Sequence, residues 1–198
     1  PEGRSDLSSL RVMVSGGSPV PPKLHERVEA AFGCPLTSLF GQTELSPSLT
    51  ASSPDDSAAD RAETSGRPLP QVEVRIVDPQ TGELAPIGHD GEVQARGYQL
   101  MLGYVGQDDA TARTILPDGW LRTGDIGQLD SRGYLRITGR LSDMIIRGGE
   151  NLYPAEIEAA LTRHPAVAEA AVFGLPGRPL GENAAAAILV VSAIIFLT

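Results

Sequence analysis

Short apolar runs and one helical repeat organise the first part of the chain. Residues 10–15 form an apolar run that stops at a glycine pair, which predicts a strand and a tight turn. Pro21 and Pro22 open a predicted helix that ends at Gly33, and residues 35–39 predict a second strand. The apolar face of this helix, which we expect to pack inward, is Leu24, Val28, Ala31 and Phe32. Strand, helix and strand in this order indicate an α/β arrangement, in which ligands bind beyond the carboxyl ends of the strands.

A polar stretch and then a set of alternating segments follow. Residues 46–62 are rich in Ser, Pro and Asp and predict a loop. Residues 71–77 and 91–96 alternate polar and apolar side chains, as half-buried strands do. Residues 109–115 predict a short helix, and residues 134–139 predict another strand. These strands favour a second, largely antiparallel unit, a small barrel or sheet.

The pattern changes again after Arg140. Residues 143–147 predict a strand, the following glycine pair predicts a turn, and residues 154–163 predict a helix. Its expected core-facing side chains are Ile157, Ala160 and Leu161. Two further strands are predicted over 167–173 and 184–191. The predicted fold class is therefore α/β with an antiparallel, barrel-like β unit, followed by a small, truncated α+β C-terminal domain.

Composition and charge narrow the function classes. The formal net charge of −9 argues against a nucleic-acid partner or an anionic membrane surface, since both need a basic face. One cysteine, Cys34, cannot form an internal disulfide, so we expect a reducing cytoplasm and a small buried thiol. The apolar stretch 184–197 is shorter than the about twenty residues of a membrane span, so we expect no stable membrane insertion. His25, His89 and His164 have no metal-ligand spacing, and each is expected at the surface.

Three ordered motifs carry a resemblance to a known family. They are FGQTE at 40–44, RTGD at 122–125 and GRLSDMIIRGGENLYPAEIE at 139–158. Together they resemble the adenylate-forming ligases, in particular the acyl-CoA synthetase (AMP-binding enzyme) branch. The resemblance runs from about residue 10 to about residue 182. It implies that residues 1–141 are the C-terminal part of a large AMP-binding domain and that residues 142–198 are a truncated, mobile small domain.

The resemblance also implies that the chain is a fragment. A phosphate-binding loop rich in Ser, Thr and Gly and ending in Lys is expected upstream of Pro1. A late Lys, which aligns the substrate carboxylate with the α-phosphate, is expected past Thr198. The tail from Ser192 onward has no turn chemistry and does not resemble the family's continuation.

Within the first motif, a carboxylate follows a hydroxyl in the loop that leaves a strand. Such a carboxylate can reach a Mg²⁺ ion that bridges phosphate oxygens. The resemblance assigns Glu44 this metal role, gives the hydroxyl of Thr43 to the α-phosphate and places Phe40 against the adenine. The residues alone would also allow Phe40 as core and Thr43-Glu44 as a helix cap.

Glycines near these residues are expected to let the backbone approach a ligand closely. By resemblance, Gly16, Gly17 and Ser18 lie near the adenine and the acyl group, and Gly41 allows the same approach. A glycine pair after a strand is otherwise an ordinary turn.

The second and third motifs supply a carboxylate and a guanidinium. Asp125 lies in a predicted glycine-flanked turn, and a carboxylate can accept both hydroxyl protons of a ribose diol. The resemblance gives Asp125 the ribose, and it gives Arg140 the ribose or phosphate oxygens as a third catalytic residue beside Thr43 and Glu44. The alternatives are a solvated turn for Asp125 and a surface salt bridge for Arg140. Trp120 is expected to pack beneath the turn.

The third motif also carries the expected hinge. The resemblance places it at Ser142 and Asp143, where the family commonly has Asp or Lys in the position of Ser142. Backbone torsions that change at low cost are all that a hinge requires. Gly148 and Gly149 would line the pantetheine tunnel of coenzyme A in the second conformation, or simply form a turn.

The implied reaction has two steps. A carboxylate attacks the α-phosphate of ATP to give an acyl-adenylate and pyrophosphate, and the thiol of coenzyme A then displaces AMP. The expected cofactors are ATP or AMP, Mg²⁺ and coenzyme A as co-substrate, with a carboxylic acid that resembles a fatty acid. We expect the isolated chain to be nearly inactive. A carrier-protein-loading adenylation domain and a non-catalytic AMP or ATP sensor are the alternatives.

Overall fold

The computed structural model describes residues 6–18, 20–148, 150–177 and 181–190. Close contacts divide the chain into two units, one formed by Pro1–Thr123 with Gly127–Ile137 and the other by Gly124–Ile126 with Thr138–Thr198. The predicted boundary at Leu141 stays a prediction. No helix in the described ranges is long and apolar enough to cross a membrane.

The first sheet has the strand order β1-β2-β3-β4. Its elements are β1 (Met13–Gly16), α1 (Pro22–Phe32), β2 (Leu36–Phe40), a 3₁₀ turn (Thr43–Leu45), β3 (Thr50–Ala51), α2 (Ala58–Glu63) and β4 (Arg67–Pro68). β1 runs parallel to β2, with Gly16 opposite Leu39. The carboxyl ends of these two strands therefore meet at one edge of the sheet. The strand–helix–strand prediction is confirmed, although β1 begins three residues later than predicted.

The helix α1 begins and ends as the sequence indicates but faces another way. Pro22 occupies its first turn, and Gly33 ends it in the left-handed conformation with φ of 69°. The expected core residues Leu24 and Phe32 are exposed, whereas His25, expected at the surface, is buried. That expectation for His25 was wrong because α2 approaches the polar side of α1.

The predicted loop over 46–62 was wrong as well, because it contains β3 and α2. Ser57 caps α2 by accepting a hydrogen bond from the Asp60 amide at 3.1 Å. Arg61 of α2 donates to both carboxylate oxygens of Glu29, at 3.0 Å from Nε and 3.1 Å from Nη2. His25 Nδ1 lies 3.8 Å from the same carboxylate. A largely buried cluster of charged and polar side chains thus ties the two helices together, and apolar periodicity does not signal such a cluster.

The second sheet has the order β5-β6-β7-β8. It consists of β5 (Val72–Val77), β6 (Gly91–Gly97), β7 (Leu121–Leu129) and β8 (Leu135–Arg140), with α3 (Asp108–Thr114) between β6 and β7. β5 and β6 pair antiparallel, as predicted. Trp120 is buried, and the guanidinium groups of Arg75 and Arg96 lie 4.2 and 4.7 Å from its ring centroid. The described strands form open sheets rather than a closed barrel.

The main core lies in the first unit. Its fully buried members include Leu45, Leu49, Val93, Leu121 and Leu135. Because Leu45 belongs to the 3₁₀ turn at Thr43–Leu45, its packing in this core holds the turn in place. Cys34 is buried between α1 and β2, as predicted.

The second unit contains a third sheet of order β10-β9-β12-β11. Its elements are β9 (Ile145–Arg147), β10 (Glu150–Leu152), α4 (Pro154–Thr162), β11 (Val167–Gly177) and β12 (Gly181–Val190). β11 and β12 form a long antiparallel hairpin. The α+β character of this part is confirmed. Ala160, expected to face the core, is exposed, and residues 191–198 lie outside the described residues.

Candidate active site

Glu44 lies in a short turn that leaves the carboxyl end of β2. The amide of Leu45 donates to the Gln42 carbonyl at 2.9 Å and that of Ser46 to the Thr43 carbonyl at 3.1 Å, which closes the turn. Leu45 is fully buried, whereas Thr43 is exposed and Glu44 is half-buried. The turn thus anchors itself by its apolar residue and presents the hydroxyl and the carboxylate outward.

Tyr104, which the sequence analysis did not single out, contacts the Glu44 carboxylate. Its hydroxyl donates to Glu44 Oε1 at 2.7 Å. This hydrogen bond, together with burial and the charge of Glu44, raises the pKa of the Tyr104 phenol above its ordinary value. The phenol therefore keeps its proton and remains the donor.

The glycine turn at Gly16-Gly17-Ser18 lies beside the Phe40 end of β2. Because Gly16 is in register with Leu39, the two strand ends are neighbours, as an α/β ligand edge requires. Gly17 has φ of 82°, which favours glycine, and Ser18 is exposed. The ring of Phe40 is half-buried and packs against the main core. The structure thus brings Gly16, Gly17, Ser18 and Phe40 together in one unit.

Steric crowding within the chain requires glycine at position 41. A β-carbon at Gly41 would overlap the carbonyl oxygen of Pro47, which belongs to the loop after the Glu44 turn. Close packing of the chain on itself is therefore enough to require glycine here, and the expected close approach of a ligand at Gly41 stays a prediction. The sequence did not indicate this contact, because it depends on how the chain folds back between Gly41 and Pro47.

Asp125 lies in a strand, which corrects the predicted glycine-flanked turn, and its burial does not support the alternative of a solvated turn. It belongs to β7, and Thr123 in the same strand donates to the Val93 carbonyl at 2.7 Å. Gly124 interrupts the regular strand with φ of 73°, and this local irregularity is what made the sequence look like a turn. The side chain of Asp125 is buried, with 6% of the residue exposed.

Arg140 at the end of β8 pairs with this buried carboxylate. Arg140 Nε lies 3.1 Å from Asp125 Oδ1, while 70% of the arginine side chain is exposed. Burial raises the pKa of the Asp125 carboxyl above its ordinary value, Arg140 opposes that shift, and the charge of Asp143 adds to it. Both groups belong to the second unit, and they are two residues that the family resemblance assigned to the nucleotide.

The proposed hinge residues form one turn of 3₁₀ helix, Leu141–Asp143. Arg140 before it and Met144 after it are both extended, with φ of −122° and −62°. The hydroxyl of Ser142 donates to Asp143 Oδ1 at 2.8 Å. A short turn between two extended residues can change its torsions with few hydrogen bonds lost.

Gly148 forms the turn between β9 and β10 and has φ of 61°. This positive φ supports the simple turn for Gly148, and Gly149 lies outside the described residues. Arg147 beside the turn donates to Asn183 Oδ1 at 2.6 Å. The pantetheine role of this turn stays a prediction.

Comparison with known proteins decides the family. The model of the AMP-binding enzyme family matches residues 1–105, more than half of the chain, and the model of its C-terminal domain matches residues 156–194. The chain belongs to the AMP-binding enzyme family. The two matches fall in the segments that the sequence analysis assigned to the large and small domains.

This chain is similar over nearly its whole length to curated proteins. It is 48% identical to an octahydro-indenyl-propanoyl:CoA ligase of Rhodococcus jostii (strain RHA1), over 89% of the chain and 32% of that protein. It is 43% identical to the medium-chain acyl-CoA ligase ACSF2 of Danio rerio, a mitochondrial protein, over 92% of the chain and 30% of that protein. The chain thus spans about a third of the length of these curated relatives.

A solved structure agrees with the sequence comparison. The amide bond synthetase McbA from Marinactinospora thermotolerans superimposes with a TM-score of 0.85 and 41% sequence identity. The match covers 96% of this chain and 38% of that one. The fold prediction is thereby confirmed as that of adenylate-forming enzymes.

One described carboxylate of this chain fits a magnesium ion that is also held by substrate phosphates. Magnesium is commonly held by one or two protein carboxylates together with substrate phosphates. Glu44 offers one outward carboxylate, and no cluster of three or more His, Cys, Asp or Glu that could hold a metal is found among the described residues. A single carboxylate is compatible with an ion whose other ligands are substrate phosphates and water.

Sequence reasoning missed Tyr104 for a physical reason. Its partner Glu44 lies 60 positions away, and neither residue belongs to a periodic apolar pattern. A signal did exist, since Tyr104 follows Gly103 in a loop where an aromatic residue has no strand or helix face to fill. The predicted roles of Thr43, Glu44, Asp125 and Arg140 toward a nucleotide stay predictions.

Proposed function

We propose that this chain is the later part of an ATP-dependent acyl-CoA synthetase. One observation carries the proposal. The sequence match to CoA ligases covers both the turn that holds Glu44 and the Asp125–Arg140 pair. The overall reaction joins a carboxylic acid to coenzyme A at the expense of ATP.

In the first step, a carboxylate oxygen of the acid attacks the α-phosphorus of ATP. The bond to the bridging oxygen breaks, and pyrophosphate leaves. Thr43 donates its hydroxyl to the α-phosphate, and Glu44 would hold a magnesium ion, which would neutralise phosphate charge. Phe40 and the turn at Gly16, Gly17 and Ser18 position the adenine. These groups act mainly by positioning and by charge, as phosphate chemistry generally requires.

Asp125 and Arg140 hold the ribose side of the nucleotide. The carboxylate of Asp125 accepts both ribose hydroxyl protons, and the exposed guanidinium of Arg140 turns to the ribose or phosphate oxygens. The existing contact at 3.1 Å shows that the arginine reaches this carboxylate. In the resting chain, the arginine partly offsets the cost of burying the acid.

In the second step, the sulfur of coenzyme A attacks the acyl carbonyl, the thiol loses its proton and AMP leaves. The turn at Leu141–Asp143 is the hinge at which the conformation changes between the two steps. Gly148 and Gly149 leave room for the thin pantetheine chain of coenzyme A. We also propose a fatty-acid-like substrate, because one relative is named as a medium-chain acyl-CoA ligase. The cytoplasmic location remains a proposal that rests on the single cysteine.

The test is acyl-CoA formation by the complete protein that contains this sequence. We expect medium-chain carboxylic acids, ATP, Mg²⁺ and coenzyme A to give acyl-CoA and AMP, detected by mass spectrometry. Loading of a phosphopantetheinyl carrier protein instead of coenzyme A would favour an assembly-line adenylation domain. Binding of AMP without any turnover would favour a nucleotide sensor.

The likeness to an amide bond synthetase favours a second candidate nucleophile. An amine could attack the same acyl-adenylate with release of AMP. Competition between coenzyme A and amines in the assay above separates the two. An amide product with no thioester would select this second candidate.

We further propose that the isolated 198-residue chain is nearly inactive. It spans about a third of its relatives, and the family resemblance places two positively charged elements outside it. Loss of such an electrostatic group costs about 3 kcal/mol of transition-state stabilisation. ATP–pyrophosphate exchange by the isolated chain near the rate of the complete protein would contradict this.

A further inference from the structure

The loop after β6 holds Glu44 at both its main chain and its side chain. The amide of Met101 donates to the Glu44 carbonyl at 2.9 Å, and the Tyr104 hydroxyl donates to Glu44 Oε1 at 2.7 Å. Among the described residues, Tyr104 is the one side chain that hydrogen bonds this carboxylate, and Oε2 has no such partner. The carboxylate is therefore oriented through one oxygen and leaves the other available.

The backbone of Tyr104 is held in place by a hydrogen bond to α3. Its amide donates to Thr111 Oγ1 at 2.9 Å, and the same hydroxyl donates to the Gln107 carbonyl at 3.1 Å. A β-carbon at Gly103 would lie 2.8 Å from Thr111 Cγ2, so the chain passes this threonine closely. The position of the phenol is thus set by backbone contacts and not by the carboxylate alone.

We propose that Tyr104 is a positioning residue that orients the Glu44 carboxylate toward the magnesium ion of the bound nucleotide. The proposal rests on the function proposed above. A hydrogen bond from a neutral phenol holds one carboxylate oxygen without neutralising the charge that a cation requires. A half-buried glutamate without this bond would sample several rotamers and would have to lose that freedom on binding the ion.

A purely structural role is the rival explanation. Tyr104 packs in a loop, and loss of its hydroxyl could simply loosen that loop. The two explanations predict a different dependence of nucleotide affinity on magnesium. Orientation of Glu44 matters when magnesium is present, whereas a loosened loop weakens nucleotide binding with or without the ion.

The experiment compares ATP affinity of the complete protein in saturating Mg²⁺ and in EDTA, measured by calorimetry for wild type and Tyr104→Phe. We expect the dissociation constant in Mg²⁺ to rise about tenfold, as loss of a hydrogen bond to a charged group does, and the constant in EDTA to stay unchanged. In a double-mutant cycle, adding Tyr104→Phe to Glu44→Gln should have little further effect.

Tyr98→Phe is the matched control. Tyr98 belongs to the same loop, is 74% exposed and has no side-chain hydrogen bond among the described residues, so both constants should remain those of wild type. Equal weakening by Tyr104→Phe in Mg²⁺ and in EDTA, or no change in either, would overturn the inference while the proposed function stands. A wild-type protein that binds no ATP would overturn both.

Discussion

At the residue scale, Asp125 shows how a candidate binding group costs stability. Its carboxylate is buried, and the guanidinium that pairs with it is mostly exposed, so solvent weakens the attraction. Burial raises the pKa of the carboxyl despite this partner. The folded state therefore binds a proton more tightly than the unfolded state, and stability falls as pH rises from the ordinary value of 3.8 through the raised pKa.

Asp125→Asn removes this titration while keeping the shape of the side chain. We expect the variant to gain stability relative to wild type at pH 7 and to lose that gain below pH 4, because the wild-type carboxyl is then protonated. AMP affinity should fall about tenfold at pH 7, since the amide offers one acceptor oxygen to the ribose diol. Thermal denaturation at the two pH values and calorimetry with AMP measure these effects. A stability difference that does not vary with pH would contradict the account.

Gly41 gives a second prediction at the same scale. Gly41→Ala places a methyl group against the Pro47 carbonyl, and relief of that overlap must shift the loop behind the Glu44 turn. We expect a loss of about 1–3 kcal/mol in the free energy of unfolding, typical of overpacking.

Gly139→Ala is the control for this change, because a β-carbon there meets Tyr153 at an ordinary distance of 3.8 Å. Urea denaturation of the two variants provides the comparison. Equal stability of Gly41→Ala and Gly139→Ala would show that the loop does not press on Gly41.

At the scale of elements, the tie between α1 and α2 is ionic. Burial raises the pKa of Glu29, but the Leu36 amide and Arg61 outweigh that cost and lower the pKa overall. A lowered pKa means that this contribution to stability is present above the ordinary value of 4.5 and is lost as pH falls through the folded-state value.

Glu29→Gln should therefore destabilise the protein most at neutral pH. We expect a loss of about 2 kcal/mol at pH 7, because the buried guanidinium of Arg61 keeps its backbone acceptors but loses its charged partner. The loss should shrink toward pH 3. Chemical denaturation at several pH values measures it, and Glu26→Gln on the exposed side of the same helix serves as control. A loss that is constant with pH would contradict the ionic origin.

The elements differ in how far the sequence predicted them. α1 was predictable because Pro22 and Gly33 mark its ends locally, and β5 because its alternation is regular. The surface position expected for His25 was wrong because α2 packs against α1, and no local pattern in the sequence signals that contact. β7 was taken for a turn at Asp125, since Gly124 has a turn-like backbone inside a strand. Local signals thus predicted most elements, whereas contacts between distant polar side chains, such as Tyr104 with Glu44, were not predictable from spacing.

At the scale of the whole molecule, the candidate groups belong to two units, and the proposed hinge at Leu141–Asp143 lies within the second of them. Ser142→Pro fixes φ near −65° and restricts the residue before it, which limits torsional change at this turn. We expect the complete protein to keep adenylation within about threefold and to lose about tenfold or more in thioester formation. Single-turnover rates of each step measure this, with Ser142→Ala as control. Equal loss in both steps would exclude a hinge at Ser142.

The central claim is that the turn at Thr43–Leu45 serves the adenylation of a carboxylic acid. Carboxylate-dependent ATP–pyrophosphate exchange by the complete protein tests it most directly, with wild type compared with Glu44→Gln. We expect exchange to require both the acid and Mg²⁺ and to fall about a hundredfold in Glu44→Gln, as for loss of one electrostatic group at a transition state. Exchange that is absent in wild type, or unchanged in Glu44→Gln, would contradict it.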